Sequence, residues 1–216
     1  MEMLRRSPPG GSSQQKGTPD NAVQVAMAPP SEEPCSGCGF CREDVGTGDA
    51  AVALSLLPHW WRQLFGLNGD RDLLRRRVGS ESWSALEHGA HVRDMLHAKA
   101  NRLERIQDGD RPQIDDVVID APRAGDNDRD AEVVLHVLGR NSVRFVKLVV
   151  DMPPEAWWQT GRREGREVSA LELVREAVHD GVHHLRGARA QLVLLGATPV
   201  RDDVGEDIWG RCPIAT

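Results

Sequence analysis

An all-α protein built as a four-helix bundle is the fold class the sequence predicts, on three observations. Apolar residues recur at helical spacing in four separate segments. Two of those segments open on the same four letters, Ser-Ala-Leu-Glu. Stretches rich in Gly, Pro and Asp break the chain between them.

The first helix is expected from about Asp49 to Phe65, with Val52, Leu56, Trp60 and Leu64 on one stripe, Gly66 at its end and a kink or restart at Pro58. The second opens on Ser84-Ala85-Leu86-Glu87, where the Ser hydroxyl and the Glu carboxylate satisfy each other's orphan N–H groups. It runs to about Gln107, ahead of Asp108-Gly109-Asp110. The third spans about Ala131 to Val150, with Val134, Leu138, Asn141, Phe145, Leu148 and Val149 on a face, and Pro153-Pro154 forbid its continuation. The fourth opens on Ser169-Ala170-Leu171-Glu172 and carries Leu171, Val174, Val178, Val182, Leu185 and Leu192 before Gly196.

Residues 1–34 are too poor in large apolar side chains to offset the entropy of ordering and read as a disordered tail. A Cys-rich lead-in follows over 35–46, then the bundle over 47–196 and a charged C-terminal tail over 197–216. Residues 108–130 hold Asp108, Asp110, Asp115, Asp116, Asp120, Asp126, Asp128 and Asp130, but not at calcium-loop spacing, so a solvated loop is expected. The connection 151–168 should fold Trp157 and Trp158 back over one bundle end.

A chain of 216 residues with net charge −6 and pI near 5.8 lacks the basic field that nucleic acid or an anionic membrane would require. No apolar run approaches the roughly 20 residues that cross a bilayer, and no signal-type stretch follows Arg5 and Arg6, so a cytoplasmic protein is expected. Cys35, Cys38 and Cys41 repeat at C-x2-C-x2-C, with Cys212 as a fourth thiol. That grouping suits a second metal or a redox cluster better than a secreted disulfide framework.

Histidines carry the chemistry. His179 and His183, four apart on a helix, present imidazoles to the same side and can chelate one ion, whereas His184 is turned about 100° away. A third ligand must come from elsewhere, and His91 is favoured over His88 because it shares the inward side of Val92 and Met95. Three neutral imidazoles leave a coordination position open, as in catalytic zinc sites. Asp94 and Asp180 are the candidate acceptors for the ring N–H groups.

Three stretches then resemble the DinB-like superfamily, and in particular its actinobacterial branch. They are Cys35-Ser36-Gly37-Cys38-Gly39-Phe40, Trp83-Ser84-Ala85-Leu86-Glu87-His88-Gly89-Ala90-His91-Val92-Arg93-Asp94, and His179-Asp180-Gly181-Val182-His183-His184-Leu185. The resemblance is to the group that includes the N-terminal domain of mycothiol-dependent maleylpyruvate isomerase and the bacillithiol S-transferases. The resemblance covers about 35–195 and implies an up-down-down-up bundle with a long crossover and a divalent metal, zinc or nickel, on His91, His179 and His183. Two features depart from the family: Gly181 sits inside the metal helix, at a propensity cost of about 1 kcal/mol, and no Gln follows the last His. A zinc-binding anti-sigma factor is disfavoured, because Ser31 stands where its further His would be.

The function this resemblance implies is a metal-dependent transferase in which a low-molecular-weight thiol such as mycothiol attacks an electrophilic small molecule. Metal coordination lowers the thiol pKa. Arg93 and Arg186 are candidates for contacting an acidic substrate. The alternatives are a non-catalytic metal-binding stress or interaction module, dimeric through its helix faces, and a metal-assisted hydrolase or isomerase.

Overall fold

The computed structural model describes residues 34–66, 71–114 and 121–197. The two tails expected from the sequence, Cys212, and Asp115, Asp116 and Asp120 of the crossover thus lie outside the described residues, apart from residues 34 and 197. Four helices make the body: α1 (Thr47–Gly66), α2 (Ala85–Asp108), α3 (Ala131–Val150) and α4 (Ala170–Leu194). Both capping boxes form, Ser84 with Glu87 and Ser169 with Glu172, so the starts of α2 and α4 are fixed by local hydrogen bonds.

α1 packs on α3 and α4, and so does α2, which places α1 diagonally opposite α2. Directions follow from cross-helix contacts. Gly89, early in α2, lies against Phe65 at the end of α1, so these two run in opposite senses. Asn141 Nδ2 donates to the Arg93 carbonyl at 2.8 Å and Gln107 Nε2 to the Leu148 carbonyl at 3.4 Å, so α2 and α3 run the same way. Lys99 meets Glu176 while His88 meets His184, which reverses α4. The order is up-down-down-up, and the crossover between the parallel helices α2 and α3 is the 109–130 segment.

α1 runs through Pro58 without a restart. Proline cannot donate to the carbonyl four residues back, and that carbonyl, on Leu54, accepts instead from the buried Ser142 hydroxyl of α3. The buried face of α1 carries Ala50, Ala53, Leu54, Leu57, Trp60, Trp61, Leu64 and Phe65. Val52, assigned to that face from the sequence, points outward at 50% exposure. α1 presses on two neighbours, so its apolar arc is wider than one stripe and is centred elsewhere.

Two connections differ from expectation. Within 151–168, a 3-10 turn (Pro154–Trp158) is followed by an antiparallel hairpin of β1 (Thr160–Arg163) and β2 (Arg166–Ser169). Glu164 and Gly165 both take positive φ, the two-residue turn that matches strand twist. Trp157 is buried as expected, but Trp158 is 70% exposed because the 3-10 turn sends adjacent indoles to different sides. In the crossover, Asp126 is not solvated: it is buried, accepting from Arg93 (3.2 Å), Arg129 (2.7 Å) and the Arg123 amide (2.8 Å). The buried Arg93 guanidinium of α2 thereby anchors a loop that composition alone marks as solvent-facing.

Candidate metal centre

Residues 35–40 form a tight knuckle. The amides of Cys38 and Gly39 both donate to the Cys35 carbonyl, at 3.2 and 2.6 Å, and Gly39 supplies the left-handed residue that closes the turn at φ 69°. Phe40 is buried with its ring 5.5 Å from that of His179. Two arginines of α4 fix the knuckle from either side of the histidines. Arg175 donates to the carbonyls of Glu43 and Val45 and to the Glu43 carboxylate, and Arg186 donates to the Cys38 carbonyl. Residues 175, 179, 183 and 186 follow the helical repeat, so one face of α4 carries both the tethers and the imidazoles.

This arrangement merges two clusters that the sequence presents separately. Cys35, Cys38, His179 and His183 each offer one ligand atom, and the four atoms all lie within 4.8 Å of one another. Cys35 Sγ is 3.7 Å from His183 Nδ1. At Gly37 a Cβ would stand 3.0 Å from the His183 ring, so glycine lets the knuckle approach this closely. Cys41 is not a member of the group, and Cys212 lies outside the described residues.

His91, the third ligand favoured from the sequence, is not in the group either. It is buried with its ring 4.3 Å from His184 and 5.1 Å from Trp83. Trp83 stacks parallel on His184, and His88 Nδ1 approaches His184 Nδ1 at 3.0 Å. Burial, with the neighbouring imidazoles adding to it, pushes His88 down to about 4 and His184 down to about 3, so both rings are neutral at physiological pH. Among the described residues, then, the cluster that could hold a metal includes two of the three histidines favoured from the sequence, His179 and His183, together with two thiols.

The expected outer partners divide in the same way. Asp180 Oδ1 accepts from His179 Nδ1 at 3.0 Å, which leaves Nε2 for a ligand. That Nε2 is buried and makes no hydrogen bond of normal geometry. An orphaned ring nitrogen facing two sulfurs and a second imidazole is what a soft divalent cation satisfies. Asp94 instead holds Arg93 at 2.7 and 2.9 Å and Arg123 at 3.4 Å. Arg93 is thus paired with Asp94 and the buried Asp126, and Arg186 donates to the Cys38 carbonyl of the knuckle.

Burial opposes charge on His179, but Asp180, with the nearby sulfurs of Cys38 and Cys35, outweighs that and pushes it up to about 10. Burial likewise opposes the Cys35 thiolate, yet His179 and the knuckle amides lower it to about 6. Asp180 is held well below the usual carboxylate range, with Lys99 and His179 overcoming its burial. Lys99 Nζ lies 3.0 Å from Asp180 and 3.2 Å from Glu176, and Glu176 takes both Arg163 nitrogens at 2.8 Å. This chain of charges borders a cavity of about 330 Å³ whose walls include Arg42, His91, Arg102 and Asp180.

No protein-family profile matches the chain, and no curated protein does. A solved structure does: YfiT from Bacillus subtilis, described as a probable metal-dependent hydrolase with an unusual four-helix bundle topology. It is 12% identical with a TM-score of 0.66, over 72% of this chain and 93% of that one. At that identity the likeness concerns the fold alone, and it bears out the four-helix bundle expected from the sequence.

Proposed function

We propose that this chain is a zinc protein whose metal is held by Cys35, Cys38, His179 and His183. The observation that carries the proposal is the convergence of four donor atoms within 4.8 Å, two from the knuckle and two from α4. Two thiolates and two neutral imidazoles balance the charge of a divalent ion, and this mixed donor set favours tetrahedral zinc over nickel. Four protein donors make a closed site, which favours a metal-stabilised binding module over a permanently open catalytic centre.

A second reading, metal-dependent chemistry on a small molecule, is favoured by the cavity beside Asp180 and His91. A bound zinc supplies a lowered pKa to a coordinated thiol or water. For a low-molecular-weight thiol such as mycothiol, or for hydrolysis of the kind attributed to YfiT, one protein ligand must give way. Cys35, Cys38 and His183 are all half-buried. Arg42 at the cavity rim would bind an acidic group of the substrate.

Elemental analysis of purified wild type beside Cys38→Ala and His183→Ala tests the first reading. About one zinc per chain is expected in wild type and much less in either variant. Wild type without metal, or Cys38→Ala with its metal intact, would overturn it. Conjugation assays with several low-molecular-weight thiols test the second, and turnover unchanged in His183→Ala would refute it.

A further inference from the structure

Two of the four donors have a chemistry the imidazoles lack. Cys35 and Cys38 are the first and last residues of a hydrogen-bonded turn, with the Cys38 amide 3.2 Å from the Cys35 carbonyl. Such a turn holds its end Cα atoms within about 7 Å, which is within reach of a disulfide after small adjustment. Their sulfurs already lie within 4.8 Å of each other. Ser36 and Gly37 between them are exposed and both cysteines are half-buried, so a small reagent reaches the sulfurs from solvent.

We infer that Cys35 and Cys38 are a hydroperoxide-reactive dithiol whose oxidation to a disulfide ejects the metal. The inference rests on the zinc reading above. In the first step the thiolate of one cysteine attacks the peroxide O–O bond, giving a sulfenic acid and an alkoxide or hydroxide. In the second, the other thiolate attacks the sulfenic sulfur, the S–S bond forms and hydroxide leaves. Two protons from solvent convert the released oxyanions to alcohol and water. The cysteine pair loses two electrons and the peroxide gains them. Only His179 and His183 then remain as donors, and two imidazoles hold zinc far less tightly than the full set.

The fold suits a reversible event. Arg175 ties the lead-in to α4 through Glu43 and Val45, away from the sulfurs, so residues 43–45 stay docked and keep the cysteines near the histidines while they change state. Metal release therefore does not require the bundle to open, and a dithiol reductant restores both thiolates where they can rebind.

The test uses the full-length chain, reduced and loaded with zinc, treated with hydrogen peroxide in the presence of a chromogenic zinc chelator. Chymotryptic cleavage after Phe40 gives a peptide that contains Cys35 and Cys38 but not Cys41. Mass spectrometry should show that peptide losing two hydrogens in step with release of one zinc per chain. Dithiothreitol followed by zinc should restore both. A loaded chain that keeps its zinc and two alkylatable cysteines under peroxide defeats this inference alone, as does zinc loss without the disulfide. A chain that takes up no zinc defeats the zinc reading as well.

Discussion

Asp180 accepts His179 on one oxygen and Lys99 on the other, so a single carboxylate sets both the tautomer of the imidazole and its basicity. Asp180→Asn keeps the shape and removes the charge, and zinc affinity should fall by about 10–100-fold in chelator competition. Affinity equal to wild type would show that the carboxylate does not orient the ligand. Binding at Nε2 displaces the proton that His179 otherwise retains up to about 10. Zinc affinity should therefore rise with pH from neutrality toward that value, and proton release should accompany uptake. His91→Ala, by contrast, should leave the zinc content unchanged, because His91 packs on His184 and Trp83 outside the donor group. The pair His179 and His183 was legible from its i, i+4 spacing, and the Cys35/Cys38 repeat was equally visible. Their union was not, because 148 residues separate Cys35 from His183 and local periodicity says nothing across that distance. The signal available was chemical: C-x2-C with H-x3-H is already a complete tetrahedral set, and Arg175 and Arg186 frame the histidines on the same face.

At the scale of elements, the helices were legible because their ends are written in local chemistry: two capping boxes, and Pro153-Pro154 after α3. The β1–β2 hairpin was not, because only Gly161 and Val168 of its eight residues are buried and the alternation that marks a strand is missing. Tertiary contacts hold it there instead. Gly161 lies so near Ile114 and Ile106 that a Cβ would stand 2.8 Å from Ile114, and Arg163 reaches Glu176 of α4. Gly181 follows the same logic. Its propensity cost is offset by the approach of Leu57, whose Cδ2 a Cβ would meet at 2.8 Å. Glu176 joins three elements, pairing β1 through Arg163 and α2 through Lys99. Burial opposes its charge, but those two cations hold it down to about 2. The stability it contributes is present above the ordinary carboxylate value near 4.5 and is lost as pH falls toward about 2. Glu176→Gln leaves two cations without that partner and should cost about 3–5 kcal/mol at neutral pH by urea unfolding. The gap to wild type should narrow on acidification, and a constant gap would mean that shape rather than charge is what the variant loses.

For the whole molecule, the cluster of Cys35, Cys38, His179 and His183 links the start of the described chain to its last helix, while the bundle order keeps α1 and α4 side by side and parallel beneath the knuckle. The crossover that this order demands is anchored separately, by Asp126 on Arg93, so the two long-range constraints act at different places. Ligand binding to the folded state alone stabilises by mass action, about 4 kcal/mol when free zinc exceeds its dissociation constant a thousandfold. For a chain of this size that corresponds to a drop in Tm of about 8–16 °C on chelation. The helices should persist in the chelated protein, because their packed faces do not include the sulfurs. The local consequence should be larger: with no metal across the knuckle, the exposed Arg42 should become a faster tryptic site, while the bonds from Arg175 still retain residues 43–45. Melting curves recorded with zinc and with chelator, beside a timed digestion, check both expectations. If the two curves coincide in a protein shown to have carried zinc, the metal does not hold the lead-in to the bundle.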